Sequence, residues 1–457
     1  MRKRSLVAGL VLLLATAGVA VVGGCMGDYE GFGWNSQPTS PEPRDPSAPV
    51  PNGTLTDEQK EKLLDSVTDL VRERAYATGV DFAKWPDHLK KHQAAIDRAT
   101  NMTQFSNAVN RALNEFGISH IDLMSPRQAQ MQHAPRFGGI GITAEAVETG
   151  IRVTSVRDNE PASKAGIKTG DVITEVDGQR AELGSIRGLV GTPVKLKVVR
   201  SEDGKVSELT VKRAEISIAQ PPRLTKVSDD VAMVTIDSFT DEYDRDIVKK
   251  VMKEASAYPN LIIDLRYNGG GAVVNFIHFL STILPKGTEV GTFIDRRMAR
   301  QFENSDDNKG ETPDAVKVAA WSDRKVKINR NPVDPYTGNI AVLINRASAS
   351  ASEIVAAAVR ELHEGILVGE HSAGAVLMST YVKMDNGFEM KVPTSDYVTI
   401  KGMRIEGSPL QPDVKARAWN RIRPVDPKDD EVVQAAVSAL RAAGSHAETV
   451  PAAGDGK

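Results

Sequence analysis

The sequence of 457 residues holds one cysteine, Cys25, so no internal disulfide can form and no pair of thiols exists for redox exchange. It also lacks an excess of charge. The formal net charge is −3 and no basic stripe is present to neutralise phosphates, which argues against a nucleic-acid partner. No phosphate-binding loop is found. His88 and His92 in "HLKKH" have a metal-like spacing, but Leu89 stands where the zinc-protease pattern HExxH needs its glutamate. That pair reads as the solvated face of a helix, and neither a metal nor an organic cofactor is expected. With 40% hydrophobic and 26% charged residues the composition is that of a soluble globular protein, and the length calls for two or three compact units.

What is present begins with "MRKRS", followed by the apolar run from Leu6 to Val22 and then Gly23, Gly24 and Cys25. A basic start, an apolar stretch and small residues before a cleavage point mark an export signal. An uncleaved membrane anchor is the alternative, because the run approaches spanning length. Small residues directly before Cys25 resemble a bacterial lipoprotein box, which implies cleavage before Cys25 and acylation of its thiol. Residues 1–24 are then a lipoprotein signal peptide, and 25–52, rich in Pro, Ser and Gly, a flexible tether. The expected location is the bacterial cell envelope, with the chain lipid-anchored to a membrane on the periplasmic or extracytoplasmic side.

Order is expected from "TLTDEQKEKLLDSVTDLVRERAY", where Thr56 is an N-cap with Gln59 in the reciprocal position. Leu63, Leu64, Val67, Leu70 and Val71 recur there at helical spacing. A second helix over "NMTQFSNAVNRALNEFG" places Phe105, Val109, Ala112, Leu113 and Phe116 on one face and ends at Gly117. These helices make up a segment over 53–130. From Phe137 the texture changes to short β-rich runs broken by Gly, Asp and Asn turns. "NEPASKAGIKTGDVITEVDG" and "FGGIGI" resemble the central signature and the carboxylate-binding loop of a PDZ domain, over 134–214. The resemblance implies that the loop of Phe137, Gly138, Gly139, Ile140, Gly141 and Ile142 turns backbone amides onto a terminal carboxylate. The following strand edge would accept an extended peptide. A small β-domain that binds nothing is the alternative. After Pro221–Pro222 strands and helices alternate through 220–420, which predicts a largely parallel sheet with helices packed on it. A last helix, in "DDEVVQAAVSALRAAG", and a polar tail fill 421–457.

In "RASASASEIV", Ser350 and Glu353 fit a capping box, so Ser350 has one role as a helix cap. A serine at a helix N-terminus beside a strand end is equally placed for attack, since nearby amides stabilise developing negative charge. Ser348 and Ser352 are its neighbours in that role. The three glycines of "LIIDLRYNGGGAVV" allow close backbone approach. Together these stretches resemble the nucleophile segment and glycine turn of the C-terminal processing peptidases. The resemblance implies Ser350 as nucleophile and an oxyanion hole from the amides of Gly270 and Ala351. It also implies a ClpP/crotonase-like spiral of βα units. The fold class expected is thus an α/β protease core with an inserted β-rich PDZ domain and an N-terminal helical segment.

One element of that family is missing. The glycine-rich stretch after the "VGE" strand carries the family's lysine base, and here it reads "SAGAVLMS", with Ala375 in that place. A serine hydroxyl needs an adjacent base. "LNEFGISHIDLMSP" resembles the GxSH element of the tricorn-core branch of the superfamily, which also precedes the PDZ. That implies His120 as base, Ser119 in its hydrogen-bond network, and Glu406 of "GMRIEGSPLQPDV" as the orienting acid. Pro409 stands where glycine is common. Imidazole chemistry suits the assignment, because a neutral ring takes the serine proton and returns it to the leaving amine while a carboxylate fixes the tautomer. With an unperturbed pKa of about 6.5, activity is expected to fall below that pH. The bland role for His120 is to satisfy carbonyls past a helix end. His371 is the rival base, and Lys383 or Lys391 would restore a Ser–Lys arrangement from a shifted position.

The expected function is a lipid-anchored serine endopeptidase that cleaves polypeptides held by its PDZ domain through an acyl-enzyme. A non-catalytic peptide-binding scaffold, in which Ala375 records lost activity, is the alternative. The sequence does not specify an oligomeric state.

Overall fold

Thr56 starts the first helix in the manner its spacing predicts. Its hydroxyl accepts from the Gln59 amide at 3.2 Å, and the Gln59 side chain accepts from the Thr56 amide at 2.9 Å. In the computed structural model, the residues described are 53–133, 136–157, 160–181, 185–188, 190–217, 220–240, 243–417 and 426–447. The expected signal peptide, tether and lipidation site at Cys25 lie outside them.

Helices α1 (Asp57–Glu73), α2 (Trp85–Asp97) and α3 (Met102–Leu113) bury the apolar stripes read from the sequence, including Leu63, Val67, Phe105 and Val109. Gly117, at φ 66°, closes the turn after α3. One expectation fails in α2. His88 is buried, 8% exposed, with its ring 4.7 Å from Phe116, while His92 Nε2 lies 3.0 Å from Glu115 Oε1. The reason is the helix face: Trp85, His88 and Ile96 share the buried side of α2. Strand β1 (Asp122–Met124) follows, then α4 (Pro126–His133).

The β-rich segment comprises β2 (Arg136–Gly139), β3 (Ile142–Val147), β4 (Gly150–Val156), α5 (Pro161–Lys164), β5 (Val172–Val176), β6 (Gln179–Arg180), β7 (Pro193–Val199), β8 (Val206–Lys212) and β9 (Ala214–Ser217). Strands β3-β4-β5-β7-β8 form one antiparallel sheet around Ile151, Val153, Ile173, Val194, Leu196 and Val198. The chain enters along β2 and leaves along β9, and those two strands pair antiparallel. Entry and exit side by side are the geometry of an insertion. Within the carboxylate-loop candidate, the Gly138 carbonyl accepts from the Gly188 amide at 2.8 Å, and the Ile140 carbonyl accepts from the Ala162 amide at 2.8 Å.

The third segment runs through β10 (Arg223–Lys226), β11 (Val231–Thr235), α6 (Arg245–Ala255), β12 (Asn260–Asp264), α7 (Val273–Leu280), β13 (Glu289–Asp295), α8 (Arg296–Glu303), α9 (Ala315–Trp321), β14 (Val326–Lys327), β15 (Asn339–Ile344), α10 (Ala351–Leu362), β16 (Ile366–Gly369), β17 (Leu377–Lys383), β18 (Glu389–Thr399), β19 (Val414–Lys415) and α11 (Glu431–Ala447). Continuous apolar runs such as "VAMVT" and "NLIID" are buried along their whole length, as strands covered on both faces must be. They form a sheet of order β10-β11-β12-β15-β16-β19, parallel from β11 onward. Helix α11 packs Val432, Val433, Ala436 and Leu440 against Val231, Ile262 and Leu343 of this sheet, so it is a layer of the core.

The second sheet joins distant parts of the chain. Strand β18 pairs with β17 on one side, and with β1 and β13 on the other. Phe388, Met390 and Val392 fill the core of the N-terminal helices. That packing brings β1, and the residues just before it, to the third segment.

Candidate active site

Ser350 sits in the sharp turn from β15 into α10, with φ 57° and ψ −118°. A serine in that region costs about 1–3 kcal/mol and persists only where the surroundings hold it. Here they do. The Ser350 amide donates to the Ala375 carbonyl at 3.0 Å and to Glu353 Oε2 at 3.1 Å. Glu353, fully buried, also accepts from the Ser372 hydroxyl, from the Gly374 amide at 2.7 Å and from the Ala375 amide at 2.9 Å. Burial pushes its carboxyl above the ordinary value, and the donors pull it back. Glu353 therefore does more than cap a helix: it ties the Ser350 turn to the 372–375 loop. Ala375 takes part through its backbone alone.

The two competing serines are accounted for. Ser348 Oγ donates to the Leu265 carbonyl at 2.9 Å and Ser352 Oγ to the Asn268 carbonyl at 2.8 Å, and both residues are fully buried. They fasten the serine loop to the glycine turn, whereas Ser350 is half-buried. The close approach predicted for the glycines is real. A Cβ on Gly270, whose φ is 99°, would lie 2.8 Å from Ser350 Cβ and 2.9 Å from the Ala349 carbonyl oxygen.

The two oxyanion candidates differ in how they are engaged. The Gly270 amide donates to Asn268 Oδ1 at 2.9 Å, so it is not a free donor in this conformation. Asn268, buried, also donates to the Ile236 carbonyl and accepts at its own carbonyl from the Ala349 amide. Sequence reasoning passed over this residue, although an asparagine directly before a glycine run is a known turn former. Ala351, the first residue of α10, has an amide that no carbonyl of its own helix can reach.

His120 lies two residues before β1, with φ 60°. Its Nδ1 is 2.6 Å from Ser119 Oγ, and that hydroxyl donates to Glu406 Oε2 at 2.8 Å. The Ser119 amide donates to Glu406 Oε1 at 2.7 Å and the Val376 amide to Glu406 Oε2 at 2.8 Å. Because the single Ser119 proton goes to the carboxylate, His120 Nδ1 must be the donor to Ser119 Oγ. Nε2 is then the ring nitrogen with the free lone pair, the state a general base requires. Burial, and next the positive charge of Lys391, push the His120 pKa down to about 3.

Glu406 is thus the link between the segment that carries His120 and the loop that holds Ser350. Val376 bonds to Glu406, and the adjacent Ala375 accepts from the Ser350 amide. Among the described residues no hydrogen bond joins Ser350 directly to His120. Pro409 proves compatible with the loop, since it lies where a Cβ on Gly374 would come within 2.8 Å of its ring.

The rival bases have surroundings of their own. His371 Nδ1 lies 2.7 Å from the Ser372 carbonyl oxygen, Lys383 is exposed at the far end of β17, and Lys391 is half-buried opposite Asp122. Among the described residues no cluster of His, Cys, Asp and Glu could hold a metal ion, and no helix is long and apolar enough to cross a membrane.

Comparison with known proteins agrees with this architecture. Residues 230–416 match the family "Peptidase family S41", and residues 138–212 match "PDZ domain". The carboxy-terminal-processing protease of Bartonella bacilliformis is 27% identical over 322 residues, covering 67% of this chain and 68% of that protein. Carboxy-terminal processing protease CtpA of Bacillus subtilis is 28% identical over 288 residues, covering 61% of this chain and 56% of that protein. The chain spans 68%, 52% and 60% of the length of three such relatives. A crystal structure of a Bacteroides fragilis protein assigned to the S41 proteases superposes with a TM-score of 0.50 at 14% identity. It covers 83% of this chain and 97% of that one, a likeness of fold. The chain therefore contains, at residues 230–416, a region of peptidase family S41, and carries a PDZ domain ahead of that region.

Proposed function

We propose that the chain is a serine endopeptidase of the cell envelope, tethered by lipid at Cys25, that cleaves extended polypeptides presented by its PDZ domain. Ser350 Oγ attacks the scissile carbonyl carbon while His120 Nε2 takes its proton. The tetrahedral intermediate collapses, the C–N bond breaks, and His120 returns the proton to the departing amine. Water, deprotonated in turn by His120, then attacks the acyl carbon, the bond to Ser350 Oγ breaks, and His120 returns the proton to Oγ. Ser119 and Glu406 hold the ring and stabilise the imidazolium. The Ala351 amide supplies one oxyanion donor, and rotation of the 269–270 peptide away from Asn268 supplies the second. The PDZ loop around Phe137 to Ile142 takes the carboxylate end of the substrate.

The observation that carries this reading is the chain of contacts His120–Ser119–Glu406. With Glu406 ionised it leaves Nε2 as an acceptor, and it ends on the loop that holds Ser350. A fluorophosphonate probe tests it. Wild-type protein is expected to label on Ser350, Ser350→Ala not at all, and His120→Ala much more slowly. Labelling that persists in Ser350→Ala moves the nucleophile elsewhere.

The engaged Gly270 amide, together with alanine in place of the family lysine, favours a second reading, a scaffold that binds peptides without cutting them. Wild-type protein that binds peptide and resists the probe would select it.

A further inference from the structure

Beside the proposed base stands a cation that the mechanism leaves unused. Lys391, in the middle of β18, faces Asp122 across β1 and Tyr381 across β17. Directly opposed residues in antiparallel strands project to the same side, so these three side chains stand abreast. They project opposite to Leu123, Met390 and Val392, which fill the helical core. His120 precedes Asp122 by two residues and so arrives at the same patch. Lys391 is half-buried, with its ammonium 6.0 Å from the centre of the Tyr381 ring. Among the described residues the ammonium forms no hydrogen bond and no ion pair, and the Asp122 carboxylate stays out of ion-pair range.

A half-buried ammonium whose facing carboxylate, Asp122, lies beyond ion-pair range is costly to keep charged. Strand β17 explains what could reach it. It starts at Leu377, directly after the Val376 that bonds to Glu406, and among the described strands it pairs with β18 alone. A peptide extended along its other edge runs from the Ser350 loop towards Tyr381 and the ammonium.

We propose that Lys391 is a carboxylate-binding subsite beside His120, taking either the C-terminal carboxylate or an acidic side chain of a polypeptide substrate. This deepens the peptidase reading and rests on it for the identity of the ligand. Burial lowers the proton affinity of Lys391, with Asp122 opposing, and a bound carboxylate relieves that penalty. It also cancels the positive charge that disfavours the imidazolium of His120, so the correct substrate improves its own base.

The test uses one neutral peptide sequence in three forms on the full chain: free C-terminal acid, C-terminal amide, and amide with one internal Gln replaced by Glu. Two ratios are read against the plain amide, kcat/KM in the active protein and Kd in a Ser350→Ala background. Wild-type protein is expected to favour one carboxylate form by roughly 10- to 100-fold, as a charge-assisted hydrogen bond allows. Which form wins identifies the source of the carboxylate. In Lys391→Met and Lys391→Gln the internal-Glu ratio falls to about 1 and the C-terminal-acid ratio falls to the part that the PDZ loop alone supplies, while Lys391→Arg retains both. The PDZ loop is unchanged in all of these variants, so its own carboxylate preference does not track the substitution. Ratios in Lys391→Met and Lys391→Gln equal to those of wild type, or ratios of about 1 for both carboxylate forms in wild type, overturn the proposal. Failure of the wild type to turn over any peptide sinks the peptidase reading instead, and the Kd ratios still decide the subsite.

Discussion

His120 shows how far one residue's surroundings can displace its chemistry. An ordinary imidazole titrates near pH 6.5, but burial and the Lys391 charge bring this one to about 3. With that shift, the loss of activity through protonation of His120 is expected at lower pH than the sequence alone suggests. A pH–rate profile of kcat/KM on an uncharged peptide should show no ionisation from His120 between about pH 5 and 8, and a limb near 6.5 would show that the ring is more solvated than the fold indicates. The same shift bears on stability. A folded-state value below the unfolded one means the fold prefers the neutral ring, so the contribution is full above about pH 6.5 and is lost as pH falls towards 3. His120→Ala should lower kcat by about 10²- to 10⁴-fold, with PDZ peptide affinity unchanged. Glu353 is the second residue on which the site turns. Its carboxylate meets four donors, and Glu353→Gln sets an amide NH2 against N–H and O–H groups that need an acceptor. The expected cost is about 2–3 kcal/mol, seen as a lower melting temperature, with loss of probe labelling as the Ser350 turn relaxes. An unchanged melting temperature would mean the loop is held by other contacts.

Among the elements, those legible in the sequence are those built from short-range pattern. The helical stripe of Leu63, Val67 and Val71, the capping residues Thr56 and Gln59, and the buried runs of β11 and β12 all depend on neighbours in the chain. Less legible is what depends on distant partners. The Gly270 amide is turned by Asn268, whose own carbonyl is held by Ala349 and Ser352, and no periodicity encodes that contact. His88 was misread because the face of α2 it shares is set by packing against Phe116. The docking of α11 belongs with these. Arg266, at the end of β12 and just before the glycine turn, forms buried ion pairs with Asp264 and with Asp430 at 2.8–2.9 Å. Asp430 also accepts from the amides of Val432 and Val433, the first turn of α11. Asp430→Ala removes a helix cap and half of the compensation of a buried guanidinium, a loss of about 3 kcal/mol or more. Hydrogen exchange should become faster at amides 432–440, and activity should fall as the 267–271 turn loosens. Unchanged exchange at those amides would show that the apolar face of α11 suffices to hold it.

For the molecule as a whole, the path of the chain makes a claim about independence. The β-rich unit enters along β2 and leaves along β9, and Gly139 stands directly opposite Ala214 in that pair. Directly opposed residues are separated by a span that a two-residue turn closes. Replacing residues 140–213 with Asn-Gly should thus leave a hairpin of Arg136–Gly139 with Ala214–Ser217 and an otherwise intact fold. The cores that surround His120 and Ser350 draw on α1 to α3, β18 and the parallel sheet, and the residues of the β-rich core do not appear in them. The shortened chain should be soluble, keep Glu406 between Ser119 and Val376, and label with fluorophosphonate at Ser350. It should lose selectivity for peptides with a free C-terminal carboxylate to the extent that the PDZ loop supplies it. What remains of that selectivity, and whether it disappears on Lys391→Gln, separates recognition at the inserted domain from recognition beside the base. A shortened chain that is insoluble, or folded but refractory to the probe, would show instead that the inserted domain holds the catalytic arrangement together, and the side-by-side strands would then be a joint under load.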